Sequence, residues 1–106
     1  MTAAPELRVA SCNLLHGVDM RNGRVDVDTV LDAVAALDVD VVALQEVDRA
    51  QERSGGVDQT AALAERMAAQ GVFGPALLGS PDTSWTAVGH EDPGGPAYGV
   101  ALVSRH

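Results

Sequence analysis

The most restrictive feature of this 106-residue chain is a short apolar run, Val41–Leu44, that leads directly into Gln45 and Glu46. The run is too short for a helix and too apolar for a loop. It therefore predicts a strand that is buried on both faces, as in a parallel sheet. A carboxylate at the end of a buried strand is costly unless it has a partner, and a bound cation at Glu46 would be one.

The segment before this run predicts how the strand is connected. Leu7–Leu15 alternates loosely and predicts a first strand that ends near Asn13 or Leu14, while Asp26 is expected to cap a helix that runs to about Leu37. A strand, a helix and a strand with short connections form a βαβ unit, in which the strands are parallel. Asn13 and Glu46 would then meet at one rim of the sheet, where open α/β sheets bind ligands.

The remainder of the chain continues the α/β pattern. Asp58 is expected to cap a second helix that Gly71 ends, and Tyr98–Ser104 is expected to be the last strand. Weaker strand candidates are Val72–Leu78 and Trp85–Val88. Residues 1–6 are expected to be a disordered tail. An apolar strand that closes the chain leaves a sheet uncovered, so residues 7–106 are expected to be the front part of a larger domain.

The charge balance limits the partners of the chain. Seven basic residues stand against fifteen acidic ones, for a formal net charge of −8. Unaided binding to nucleic acid or to an anionic membrane is disfavoured, because phosphate neutralisation needs clustered basic residues. An acidic protein that handles phosphate therefore needs metal ions. No signal-peptide pattern or membrane-length apolar run is visible, so a cytoplasmic location without integral membrane contact is expected.

Three motifs in order carry a family resemblance: Ser11-Cys12-Asn13-Leu14, then Leu44-Gln45-Glu46-Val47-Asp48, then Tyr98-Gly99-Val100-Ala101-Leu102-Val103-Ser104-Arg105. Together they resemble the N-terminal part of the endonuclease/exonuclease/phosphatase family, the DNase I-like metallophosphoesterases. The segment Arg53–Gln59 is similar to bacterial members of that family. The resemblance implies a four-layer α/β sandwich, in which residues 7–106 would form the first sheet with its helices, truncated at the C-terminus.

The resemblance also implies a chemistry. The family hydrolyses phosphodiester or phosphomonoester bonds with Mg²⁺, and Mn²⁺ is an alternative ion. Glu46 matches the family's glutamate metal ligand, and Asn13 matches the asparagine that positions the scissile phosphate and the metal shell, so both would be catalytic. His16 and Arg53 are further candidates for contact with substrate. The substrate would be a phosphate ester: a nucleic acid, an inositol phosphate or a phospholipid headgroup.

The rest of the family's machinery has no counterpart in the sequence. The family has a catalytic histidine in mid-chain, an Asp-x-Asn motif and a terminal Asp-His pair that acts as general base, whereas none of His16, His90 and His106 follows an aspartate. A general base is typically worth about 10²–10⁴-fold in rate. The missing C-terminal half would be needed for activity, and this chain is expected to be an inactive fragment.

Plainer interpretations of the same residues remain open. Asn13 also fits a turn former. Glu46 and Asp48 also fit solvated carboxylates or partners of Arg49, and surface pairs with Glu52 or Asp58 are alternatives for Arg49 and Arg53. Trp85 and Tyr98 are expected to be packing residues. For the whole chain, the alternatives are a small α/β ligand-binding module and a truncated product without a function of its own.

Overall fold

A computed structural model describes residues 4–106 as a five-stranded sheet, a separate two-stranded hairpin and two α-helices. In chain order the elements are β1 (Val9–Asn13), β2 (Val18–Asp19), β3 (Arg24–Val25), α1 (Val27–Ala35), β4 (Val41–Arg49), α2 (Gln59–Met67), β5 (Gln70–Leu78), β6 (Thr86–Ala87) and β7 (Ala97–Ser104), with 3₁₀ turns at Leu15–Gly17 and Glu52–Ser54. The large sheet has the order β1–β4–β7–β5–β6, and β2 pairs with β3. Of the expected disordered tail, residues 1–3 lie outside the described residues, and residues 4–6 form no helix or strand.

The βαβ unit is present as the sequence predicts. β1 and β4 pair in parallel, and α1 connects them. The carboxylate of Asp26 accepts hydrogen bonds from the backbone N–H of Thr29 at 3.2 Å and from its hydroxyl at 2.8 Å, so Asp26 is the expected cap. Leu31 and Val34 are the buried residues of α1. Their helical spacing is what turns one stripe of α1 towards the sheet.

The second helix also begins where expected but ends earlier. The Asp58 carboxylate accepts from the backbone N–H of Ala61 at 3.1 Å, and the left-handed residue Ala68 (φ 51°) terminates α2. The prediction that Gly71 ends the helix is wrong, because Gly71 lies inside β5. A Cβ at Gly71 would lie 2.8 Å from the Thr60 methyl carbon, so close packing of β5 on α2 accounts for this glycine.

The two faces of the large sheet differ in burial. One face carries the core beneath the helices, and its buried apolar side chains include Val42, Leu44, Val47, Leu63 and Val103. On the other face, Val72 is 71% exposed, and its β7 partner Leu102 is 50% exposed. The expected burial of Val41–Leu44 on both faces is therefore wrong for one face, because no element of residues 4–106 covers it. Among the described helices, none is long and apolar enough to cross a membrane.

Candidate functional site

The end of β1 and the middle of β4 bring Asn13 and Glu46 together at one rim of the sheet. The prediction that the second strand ends at Glu46 is wrong, because β4 continues to Arg49 through its pairing with β7. Asn13 is in register with Gln45, the residue before Glu46, and the N–H of Leu14 donates to the Gln45 carbonyl at 2.9 Å. The backbone positions of the two predicted site residues are therefore neighbours, although 32 residues separate them in the chain. The parallel topology that the sequence predicts is the reason for this proximity.

A β-bulge sets the orientation of Glu46. The register between β4 and β7 shifts between Leu44 and Val47, where Gln45 and Glu46 lie opposite Val100, and Glu46 has a φ of 54°. Regular alternation would turn Glu46 to the same side as Leu44, into the helix-covered core. The bulge instead leaves Glu46 half-buried and returns Val47 to the core. A left-handed glutamate is a strained conformation of the kind that collects at functional sites.

Asn13 ends β1 and begins a tight turn. Its Oδ1 accepts from the backbone N–H of Leu15 at 2.9 Å, which is the turn-forming role that the plainer interpretation gives it. The side chain is exposed, and its Nδ2 group makes no hydrogen bond to another residue within residues 4–106. Asn13 can therefore stabilise the turn with its oxygen and donate to a ligand with its nitrogen.

The turn that Asn13 begins carries His16 to the same rim. His16 has a φ of 47°, and its carbonyl accepts from the Nε2 group of Gln59 at 3.0 Å. Burial of the ring and the positive charge of Arg53 lower the pKa of His16 below its ordinary 6.5, while the charges of Asp48 and Glu46 raise it. His16 thus shares one electrostatic environment with Glu46 and Arg53, and its neutral ring is favoured.

Arg53 is anchored to a carboxylate that is entirely buried. Its Nε and Nη2 groups donate to the two oxygens of Asp48 at 2.9 and 2.7 Å, and the Ser54 hydroxyl donates to the same carboxylate at 2.7 Å. The Asp48 side chain is 0% exposed and that of Arg53 is 28% exposed. The hydrogen bonds to Asp48 raise the pKa of Arg53. Within the described residues, the Nη1 group of Arg53 makes no hydrogen bond, which leaves it free to bind an anion.

The ion pairs that the plainer interpretations offer for Arg49 are not formed within residues 4–106. Arg49 pairs with Asp92 at 2.7 Å rather than with Glu52 or Asp58, and its Nε donates to the Gly95 carbonyl at 2.8 Å. Arg49 therefore holds the loop before β7 and does not partner Asp48. The loop that contains Asp92 lies far from β4 in the sequence and reaches it only in the folded chain. No local sequence pattern therefore predicts the ion pair between Arg49 and Asp92.

Two aromatic side chains beside Arg53 were not predicted as part of the site. The Arg53 guanidinium carbon lies 5.3 Å from the ring centroid of Tyr98 and 6.0 Å from that of Trp85. Burial and the neighbouring Glu46 carboxylate raise the pKa of Tyr98 to about 12, so its hydroxyl stays protonated. Tyr98 is in register with Asp48, so pairing of β4 with β7 is the signal that could have located it.

The donor set at the rim is suited to part of a Mg²⁺ site. Mg²⁺ takes oxygen ligands, keeps several waters and uses one or two carboxylates. The carboxylate of Glu46 forms no ion pair with an arginine within residues 4–106, and the Asn13 amide lies at the neighbouring register position. In the same part of the chain, no three His, Cys, Asp or Glu side chains are grouped so that they could hold a metal ion. Glu46 and Asn13 therefore suit a metal ion as ligands but form only a part of the ligand set that the ion needs.

Comparisons with known proteins identify related sequences and structures. The sequence model of the endonuclease/exonuclease/phosphatase family matches residues 10–106. Among solved structures, the endonuclease/exonuclease/phosphatase from Beutenbergia cavernae DSM 12333 is 32% identical, with a TM-score of 0.64 over 94% of this chain. The family protein from Leptotrichia buccalis C-1013-b is 16% identical, with a TM-score of 0.56 over 95% of this chain. No curated protein matches the chain.

The match covers only a part of each related structure. The chain spans 26% of the Beutenbergia protein and 38% of the Leptotrichia protein. Both proteins therefore contain long segments that have no counterpart in these 106 residues.

Proposed function

Because this chain belongs to the endonuclease/exonuclease/phosphatase family, we propose that it provides one part of the catalytic face of a Mg²⁺-dependent phosphoesterase. The family membership gives the chain a fold of the phosphoesterase and nuclease type. The complete protein would hydrolyse a phosphodiester or phosphomonoester in a nucleic acid, an inositol phosphate or a phospholipid headgroup. Mn²⁺ would be an alternative ion.

The bulge at Glu46, next to the end of β1, is the observation that carries this proposal. It keeps the Glu46 carboxylate out of the helix-covered core, and the backbone of Glu46 follows directly on that of Gln45, the register partner of Asn13. In the proposed site Glu46 holds the metal ion, and Asn13 orients the scissile phosphate and contributes to the metal shell. A neutral amide can donate to a phosphate oxygen without adding negative charge. When bound, Mg²⁺ would withdraw charge from the phosphoryl oxygens.

His16 and Arg53 would contact the same phosphate. Arg53 offers its free Nη1 group, and Asp48 holds the guanidinium in place at 2.7 and 2.9 Å. A guanidinium fixed on one edge and free on the other loses little conformational entropy when it binds an anion. The neutral ring of His16, which burial favours, would act as a hydrogen-bond partner of the phosphate.

Metal binding is the first experiment. Mn²⁺ binding to the 106-residue chain is measured by electron paramagnetic resonance for the wild type, Glu46→Gln and Glu52→Gln. We expect the wild type and Glu52→Gln to bind alike, since Glu52 is an exposed carboxylate of the neighbouring turn, and Glu46→Gln to bind at least tenfold more weakly. Equal binding by all three proteins would contradict the role of Glu46.

The sequence has no counterpart of the family's Asp-His pair, which leads to a second experiment. The chain is incubated with Mg²⁺ and an activated phosphodiester, beside a Glu46→Ala control. We expect no turnover above the control, because these 106 residues have no counterpart of the Asp-His pair that acts as general base in the family. Turnover clearly above the Glu46→Ala rate would show that these 106 residues contain a complete active site.

A further inference from the structure

Gln59 is a fully buried polar side chain that connects two segments of the candidate site. It is the first residue of α2, immediately after the cap Asp58, and is 0% exposed. Its Oε1 atom accepts from the backbone N–H of Asp48 at 2.8 Å, and its Nε2 group donates to the carbonyl of His16 at 3.0 Å. The oxygen and the nitrogen of this amide thus form hydrogen bonds with two backbone segments that are far apart in sequence.

The end of β1 explains why Asp48 needs this partner. β1 pairs with β4 only as far as Asn13 and Gln45, so the later residues of β4 have no strand on that side. Asp48 is buried, and a buried N–H without an acceptor costs about 1–3 kcal/mol. Gln59 supplies the acceptor that a longer β1 would otherwise provide.

The turn at His16 needs the other half of the amide. Leu15, His16 and Gly17 all have positive φ angles, of 44°, 47° and 94°, and a left-handed residue other than glycine persists only where its surroundings hold it. The Gln59 amide packs against this turn, since a Cβ at Gly17 would lie 3.1 Å from its Nε2 atom. The hydrogen bond to His16 therefore helps to hold this left-handed turn in place.

We propose that Gln59 is a positioning residue that sets the spacing between His16 and Arg53. One end of its amide holds the turn that carries His16, and the other end holds the strand residue, Asp48, whose carboxylate anchors Arg53. This inference rests on the proposed function, in which His16 and Arg53 contact one phosphate. It assigns the geometry of that contact to a side chain that touches neither metal nor phosphate.

The test compares Gln59 variants with two matched substitutions in α2. Gln59→Leu removes both hydrogen bonds, whereas Gln59→Glu at pH 8 keeps an acceptor for Asp48 and, when ionised, offers no donor to His16. Leu63→Ala is the control for stability, since Leu63 is buried in the same helix and such truncations cost about 2–5 kcal/mol. Thr60→Val is the control for loss of a buried polar atom, because the Thr60 hydroxyl has no partner within the described residues.

Inorganic phosphate is titrated into each folded variant in the presence of Mg²⁺, and NMR follows the signals of His16, Asp48 and Arg53. We expect Gln59→Leu to weaken phosphate binding about tenfold and to speed hydrogen exchange at the Asp48 amide. Gln59→Glu should weaken phosphate binding while the Asp48 amide stays protected. Leu63→Ala and Thr60→Val should bind as the wild type does under conditions in which they are folded.

The outcomes separate this inference from the proposed function. Equal loss of phosphate binding in Gln59→Leu and Leu63→Ala would mean that Gln59 only stabilises the fold, which overturns the inference. If the wild type does not bind phosphate, the proposed function fails. In that case the inference holds only if the NMR signals of His16 and Arg53 in the phosphate-free protein change in Gln59→Leu and not in Leu63→Ala. Any other result overturns the inference as well.

Discussion

The ion pair between Arg53 and Asp48 allows a quantitative prediction about stability. In Arg53→Met the Asp48 carboxylate, which is 0% exposed, would keep only its hydrogen bond from Ser54. Removal of one partner from a buried pair typically costs 3–5 kcal/mol. Because the Arg53 side chain is 28% exposed, water screens part of the pair, and we expect a loss at the lower end, about 3 kcal/mol.

The opposite substitution should be milder. Asp48→Asn preserves the shape of the side chain, and the partly exposed guanidinium of Arg53 can turn to water, so we expect a loss of about 1–2 kcal/mol. The double variant Asp48→Asn/Arg53→Met should be more stable than Arg53→Met alone, because it no longer buries an unpaired charge. A double-mutant cycle measures this coupling, which we expect to be at least about 1 kcal/mol.

Urea unfolding of the chain measures these changes, with the single tryptophan, Trp85, as the fluorescent probe. The matched control is Arg66→Met, since Arg66 joins α2 to the exposed carboxylates of Asp28 and Asp32, whose side chains are 86% and 70% exposed. Surface pairs of this kind contribute about 0–1 kcal/mol. If Arg53→Met loses no more stability than Arg66→Met, the buried carboxylate of Asp48 does not depend on Arg53 as its partner, and the prediction is wrong.

Three further predictions concern the rim and the sheet. In a metal-free NMR titration, His16 should titrate below pH 6.5, and Glu46→Gln should lower its pKa further, because the Glu46 charge raises it. The neutral ring then contributes stability that is present above pH 6.5 and is lost as the pH falls through 6.5 towards the lowered folded value; a pKa at or above 6.5 would contradict this. We expect the exposed apolar side chains of the uncovered face to make the chain self-associate. Leu102→Lys on that face should reduce self-association in sedimentation velocity while it changes the free energy of unfolding by less than about 0.5 kcal/mol; association equal to that of the wild type would count against that face. Gly99→Ala should cost more than about 2 kcal/mol in urea unfolding, since its Cβ would collide with backbone of β5, whereas Gly89→Ala meets open space and should be neutral; equal effects would refute the clash.

The part of the site that topology determines could be predicted from the sequence. The apolar run before Glu46, the alternating segment before Asn13 and the capped helix between them were sufficient for a parallel pair. A parallel pair brings the end of β1 beside the residue before Glu46 whatever the details of packing, although β4 itself continues to Arg49, which the apolar run does not predict. The family resemblance was confirmed by the match over residues 10–106.

The side-chain partners at the rim could not be predicted in the same way. Asp48 pairs with Arg53 rather than with Arg49 because the turn after β4 folds back over the strand, and nothing in the local pattern distinguishes the two arginines. The bulge at Glu46 is equally hidden, since it depends on the register of β4 with β7, which is more than fifty residues later. Tyr98 joins the site through the same register.

Gln59 illustrates a third limit of sequence analysis. As the residue after a helix cap, it fits an ordinary solvated position in the first turn of α2. Its burial follows from two unrelated events, the early end of β1 and the left-handed turn at His16. Long-range coincidences of this kind leave no periodic pattern in the sequence.

The central claim is that Asn13, His16, Glu46 and Arg53 converge on one metal- and phosphate-binding rim. Paramagnetic relaxation by Mn²⁺, measured by NMR on the isotope-labelled chain, tests it most directly, because broadening falls steeply with distance from the ion. We expect substoichiometric Mn²⁺ to broaden the signals of these four residues first, to leave the far end of α2 sharp, and to lose this selectivity in Glu46→Gln. Broadening that is uniform over the acidic surface, or that begins at the Asp28 and Asp32 carboxylates of α1, would contradict the claim.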